Sequence, residues 1–258
     1  MLALLATLQA RILPRGWLDA LRQLALFAGA YYGYRFVRGA VDGRATDAYE
    51  HARDLISFER GLNAFIEPSL QAWANGEAWL IDSASWMYVN SHFTITVSSL
   101  VFIYLFRNSS FYFVRNMFCI SMVMALIGYV VFPTAPPRFF PEWGFTDSVA
   151  EFTRVPQDST AVNALFNPFA AVPSMHVAFA LMLGLSLVRL VNSRPLKVLW
   201  AIYPVVVTFV VLATANHWWT DVALGAVVAG VSAFASHWLL ARARPEAWAF
   251  TRTAEATA

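Results

Sequence analysis

Phe111 to Phe132 reads FYFVRNMFCISMVMALIGYVVF, and Arg115 is its only charged residue. Crossing a bilayer takes about 20 mostly apolar residues as one helix, so this stretch predicts a membrane span. Working outward, the same criterion predicts spans at Leu18–Val37, Ser83–Phe106, Ser174–Val191, Leu196–Ala215 and Trp218–Leu240. Arg22 and Arg35 near the ends of the first can extend their charges to the interface. The composition agrees: 59% of the 258 residues are hydrophobic and 13% charged, against about 25% charged in soluble domains. The mean hydropathy is +0.53. A chain of this size cannot bury so much apolar surface in water. The expectation is an all-α integral membrane protein: a six-span bundle with an interfacial amphipathic helix and a long outer loop between spans three and four.

The remaining segments divide simply. Residues 1–17 lack a basic start, and Leu2, Leu5, Leu8 and Ile12 share a helical face, which favours an interfacial helix over a signal peptide. Leu55, Phe58, Leu62 and Phe65 follow helical spacing beside Arg53, Asp54, Glu59 and Arg60, so this stretch reads as an amphipathic helix on the membrane. Residues 18–240 form the membrane domain and 241–258 a polar tail. The net charge of +2 and the absence of a clustered basic face exclude nucleic acid as a partner. Cys119, the single cysteine, excludes an internal disulfide.

Arginine and lysine set the orientation. With six spans, one side carries Arg11, Arg15, Arg22, Arg107, Arg115, Arg189, Arg194, Lys197, Arg242, Arg244 and Arg252, eleven in all; the other carries seven over longer segments. The eleven-charge side is expected in the cytoplasm with both termini, and the protein in the plasma membrane.

Three polar motifs then meet on the outer face. Pro133-Thr134-Ala135-Pro136-Pro137-Arg138 ends the third span, and its prolines stiffen the mount of Arg138. Pro173-Ser174-Met175-His176 opens the fourth, where first-turn amides lack intrahelical partners and favour anions. Asn216-His217-Trp218-Trp219-Thr220-Asp221 opens the sixth, with His217 and Asp221 four apart on one helix face. Such residues suit phosphoryl transfer without a metal or cofactor. One imidazole can attack phosphorus, a carboxylate can fix its tautomer, and a second imidazole can move the proton. Arginine and free amides can neutralise the phosphoryl oxygens. A metal site built on the two histidines and Asp221 is the competing reading, against which the nearby arginine argues.

Pro173 to His176 and His217 to Asp221 resemble the second and third signatures of the type 2 phosphatidic acid phosphatase superfamily. Pro133 to Arg138, Asn167-Pro168-Phe169-Ala170-Ala171, Glu59-Arg60-Gly61-Leu62, Glu67 and Leu70-Gln71-Ala72-Trp73 resemble its inositol phosphorylceramide synthase-like branch. The resemblance spans about residues 50 to 240. It implies His217 as nucleophile, Asp221 as its orienting group, His176 as acid/base and Arg138 as a phosphate ligand. Two cations of the broader superfamily are replaced, by Val131 and Val211. Fewer cations suit a singly charged phosphodiester and favour a transferase.

The expected partners are membrane lipids: a lipid phosphate ester as substrate and a lipid acceptor. The alternatives are a phosphatase of lipid phosphates or isoprenoid pyrophosphates, and a non-catalytic lipid-binding or transport protein. Ser174 can cap its helix or touch phosphate, and Asn216 is a further substrate-binding candidate. Asn90 and His92 can bind a headgroup or hydrogen-bond between helices. Trp218 and Trp219 read as aromatic-belt residues. Phe139, Phe140, Trp143, Phe145, Phe166 and Phe169 give the long outer loop the apolar content of a lid.

Overall fold

The computed structural model describes residues 13–41, 44–155 and 169–241, and every regular element among them is helical. In chain order these are α1 (Gly16–Val41), α2 (Ala45–Gly61), α3 (Glu67–Asn75), α4 (Ala78–Phe106), α5 (Asn108–Val131), α6 (Ser148–Thr153), α7 (Met175–Leu190), α8 (Arg194–Ala213) and α9 (Trp219–Ala235). The expected interfacial helix at Leu2 to Ile12, the polar tail, Phe166 and Asn167 lie outside the described residues.

Four helices among the described residues are long and apolar enough to cross a membrane: α4, α5, α8, and α9 with its continuation to Trp238. The other two expected spans fall short of that description. Helix α7 is apolar but has 16 residues, because it starts at a buried Ser174 inside the bundle. Helix α1 is 26 residues long but contains Asp19, Arg22, Gln23, Arg35 and Arg38.

Helix α7 lies at the centre, packed on α5, α8 and α9. Met117 and Phe118 of α5 meet Leu183 and Leu187 of α7 in the main core. Val177 and Ala180 turn the other way, towards Val207 and Val211 of α8. Two glycines let the start of α7 sit this deep. A Cβ on Gly225 of α9 would lie 2.4 Å from the Ser174 carbonyl oxygen, and one on Gly128 of α5 would lie 2.7 Å from Pro173 Cδ. Neither position can take a side chain without moving backbone or a rigid ring.

Helix α2 is amphipathic as the spacing suggested, but its buried face is a different one. Its buried face is Ala48, Ala52, Leu55, Ile56 and Glu59, while Phe58 and Leu62 are more than half exposed. Glu59 turns inward because backbone donors wait for it there. The long outer segment also departs from expectation. Phe140 and Phe145 are buried with Ala48, Ala135, Ala171 and Trp218 in a second apolar cluster. Both rings belong to that buried cluster. Trp218 likewise is no belt residue: it is fully buried, and its indole N–H donates to the Ala135 carbonyl at 3.0 Å.

The ends of this segment are pinned by the backbone. Thr134 N–H donates to Phe169 O at 2.8 Å, Ala135 N–H to Ala48 O at 3.0 Å and Arg138 N–H to Ala215 O at 2.9 Å. Paired backbone groups let an irregular chain enter an apolar interior. They bring the proline-rich segment against the turn between α8 and α9.

Candidate active site

The turn that ends α8 sets the geometry. Ala215 adopts a left-handed conformation, φ 52°, as chains often do just past a helix end. Asn216 and His217 both donate their backbone N–H groups to Val211 O, at 3.1 and 3.2 Å. His217 is thereby turned into the bundle, 5% exposed.

Both ring nitrogens of His217 have polar neighbours. Nδ1 lies 3.1 Å from Asp221 Oδ2, and Nε2 lies 3.3 Å from His176 Nδ1. Asp221 Oδ2 also accepts from Trp218 N–H at 3.1 Å, so the carboxylate cannot swing away. With Nδ1–H donating to Asp221, the lone pair of Nε2 points at His176, whose Nδ1–H completes the contact. Burial, then the positive charge of Arg138, pushes the His217 imidazolium down to about 3. The ring is therefore neutral and nucleophilic through the physiological range.

Arg138 stands on a short 3-10 turn, Pro137–Phe139. Its Nη1 donates to Asn216 Oδ1, its Nε lies 3.7 Å from Asp147 Oδ2, and its guanidinium sits 4.8 Å from the Phe139 ring centroid. Nε is buried with no hydrogen-bond partner, a donor that an anion can satisfy. Asn216 is fully engaged, since Nδ2 donates to both the carbonyl and the hydroxyl of Thr214. It holds Arg138 in place.

Ser174 serves as the cap of α7. Its hydroxyl accepts from Val177 N–H at 3.5 Å, its own N–H donates to Asp221 O at 3.1 Å, and it is fully buried. His92 lies behind His176, ring centroids 4.7 Å apart, with its Nδ1 3.2 Å from the Tyr203 hydroxyl. It supports the site from the interior. Asn90 is exposed and donates to Trp86 O at 3.1 Å, so it is not brought to the site.

Residues that spacing did not single out complete the picture. Tyr88 stacks on His176 at 4.9 Å. It stands in a π-helical turn of α4, Met87–Ser91, that ends just before His92, and such turns often mark functional positions. No sequence signal announces that turn. Glu59 stood in the sequence as a charge on the amphipathic helix and Glu67 only within the family resemblance, yet both are fully buried beneath the first turn of α9. Burial, then repulsion from Glu67, pushes the Glu59 carboxyl up to about 8. Burial also raises Glu67.

A family model described as the PAP2 superfamily matches residues 53–235. The chain belongs to the PAP2 superfamily. Members of the PAP2 superfamily are phosphatases, and membership points to phosphatase or phosphotransferase chemistry on phosphate esters. No curated protein and no solved structure gives a significant match. The matched span contains Arg138, Ser174, His176, His217 and Asp221. The two positions that carry cations elsewhere in the resemblance do not approach the site as charges here. Val131 is 68% exposed on the outside of α5, and Val211 is packed in the core.

Proposed function

We propose that this protein is a membrane-embedded lipid phosphotransferase that works through a phosphohistidine on His217 and belongs to the inositol phosphorylceramide synthase-like branch. The observation that carries the reading is the alignment of Asp221, His217 and His176, with Arg138 beside it. The six-span architecture belongs to the same proposal, α1 and α7 being the additional spans. Both termini then face the cytoplasm, and substrate is drawn from the outer leaflet of the plasma membrane.

The chemistry follows from the atoms. His217 Nε2 attacks phosphorus while the bond from phosphorus to the leaving alcohol oxygen breaks. His176, protonated on both ring nitrogens in the substrate complex, gives its Nδ1 proton to that oxygen, on the side opposite the nucleophile, and is left as the neutral imidazole. Asp221 stabilises the positive charge that develops on His217. Arg138 and the first-turn amides of α7 take the phosphoryl oxygens. In the second half, His176 accepts the proton of an acceptor hydroxyl, whose oxygen attacks phosphorus and releases His217. Attack needs reacting atoms about 3–3.5 Å apart, and the imidazoles are now in direct contact. The phosphoryl group therefore enters between them, with His176 moving aside.

One strong cation suits a phosphodiester, which carries a single charge, better than a monoester dianion. That supports a phosphodiester donor and a lipid alcohol acceptor. Given a phosphodiester lipid, detergent-purified protein should release little free phosphorylated headgroup until an acceptor lipid is added, then form a new phospholipid. Rapid hydrolysis of phosphomonoesters with no transfer to any alcohol would favour the hydrolase reading instead.

A further inference from the structure

Three successive amides open α9, and each meets a different carboxyl. Trp218 N–H donates to Asp221 at 3.1 Å, Trp219 N–H to Glu67 Oε1 at 2.7 Å, and Thr220 N–H to Glu59 Oε1 at 3.1 Å. The Thr220 hydroxyl adds a bond to the same Glu59 oxygen at 2.6 Å. Asp221 lies on the helix it caps. Glu59 comes from α2 and Glu67 from the first turn of α3, more than 150 positions earlier in the chain.

The other oxygens of the two glutamates, both Oε2, are shut off from solvent and have no other partner. Held on adjacent amides, the two carboxyl groups lie close enough for the charge of Glu67 to act on Glu59. Two carboxylates in such a position cannot both be ionised without strong repulsion. Among the described residues no cation forms an ion pair with either. Arg60, next to Glu59, lies instead over the Trp143 ring at 4.0 Å. The other charged group facing the pair is Asp221, whose sign adds to the repulsion.

We propose that Glu59 and Glu67 are positioning residues that share one proton and, through the amides of Trp219 and Thr220, hold the first turn of α9 so that His217 stays in line with Asp221. The pair keeps one negative charge at a helix N-terminus, where the dipole favours it. The shared proton ties α2 and α3 together at the point where they grip α9. Loss of that proton sets two adjacent anions against each other and loosens the turn that carries the nucleophile. The pair titrates as a unit, with its upper transition near 8. The inference rests on His217 as nucleophile only for its effect on rate.

The test has two arms. The first needs no activity: infrared spectra of the full-length chain in detergent, in a His217→Ala background. A protonated-carboxyl carbonyl band should be present at neutral pH and fade as the pH passes about 8, and it should be absent when Glu59→Gln or Glu67→Gln is added. No such band, or a band unaltered by both substitutions, overturns the shared proton whatever His217 does. The second arm is the pH profile of kcat. The parent should lose activity above about pH 8 with little change in KM. Glu67→Ala should lower kcat by about 100-fold or more at every pH, the size of loss that misplaced catalytic geometry brings. Glu67→Gln, whose amide keeps the bond from Trp219 and donates to Glu59, should restore most of that loss and remove the alkaline fall. An alkaline fall that persists unchanged in both glutamine variants overturns the positioning role.

Discussion

His217 Nε2 stands 3.3 Å from His176 Nδ1, two residues 41 positions apart whose rings meet because α7 begins inside the bundle. That contact lies along the line proposed for phosphoryl transfer, and it depends on two helix starts being held in register.

Replacing the two members of the line should have unequal effects. His217→Ala should abolish turnover while the detergent-stable yield matches the parent. Asp221→Asn keeps a side chain of the same shape but spoils the tautomer, with a loss of about 10⁴ by analogy with hydrolytic triads. Steady-state rates and size-exclusion profiles of both variants provide the check. A well-folded His217→Ala protein with full activity would exclude the phosphohistidine.

Gly225→Ala should be disabling although residue 225 touches no substrate. Its Cβ would fall 2.4 Å from the Ser174 backbone oxygen, forcing α7 and α9 apart and separating His176 from Asp221. Overpacking of this kind costs about 1–3 kcal/mol, readable as a lower thermal midpoint together with a reduced kcat. Gly230→Ala is the control, since nothing lies within 4 Å of its Cβ position. Equal effects from the two substitutions would contradict the packing argument.

The buried glutamates give stability its own pH dependence. Glu59 releases its proton at about 8 in the folded protein, above its reference value of 4.5. The folded state thus binds the proton more tightly than the unfolded one, so the contribution is complete below 4.5 and is lost as pH rises to about 8. The thermal midpoint should decline across that window, and the decline should flatten in Glu59→Gln. A midpoint that rises with pH there would reverse the sign.

Much of this was legible in the sequence, and the failures have physical causes. Span Phe111–Phe132 is α5 (Asn108–Val131) within three residues, because a long apolar run with one charge has no soluble alternative. The motifs around Arg138, His176 and His217 converge because prolines and helix starts fixed where each side chain emerges. Glu59 was misread because a carboxylate beside arginines resembles a solvated face, and only the tertiary fold supplies the Thr220 donors that draw it in. Trp218 was misread for a similar reason, since an interfacial tryptophan and a buried one with a carbonyl partner look alike in sequence. Asn90 and His92, two apart, are separated by their helical turn, so one faces outward and the other reaches the site.

Chelators should leave activity intact. Among the described residues no group of three histidine, cysteine, aspartate or glutamate side chains is arranged to hold a metal, and Arg138 occupies the flank of His217. Rates before and after EDTA treatment decide the matter. A loss restored by one divalent ion would replace the arginine-based reading with a metal site.

The sidedness of the site is open to chemical labelling. Glu142 is exposed on the outer segment, so Glu142→Cys in a Cys119→Ser background should react with an impermeant thiol reagent on intact cells. Reaction only after lysis would invert the proposed topology.

The most direct test is to trap the intermediate. Protein mixed with a phosphodiester lipid radiolabelled at phosphorus, quenched within a turnover and digested, should yield an acid-labile, base-stable label on the peptide containing His217. A chase with acceptor lipid should move that label into a new phospholipid, and His217→Ala should never acquire it. A turning-over enzyme with no label on His217, or with label on another residue, would contradict the account at its centre.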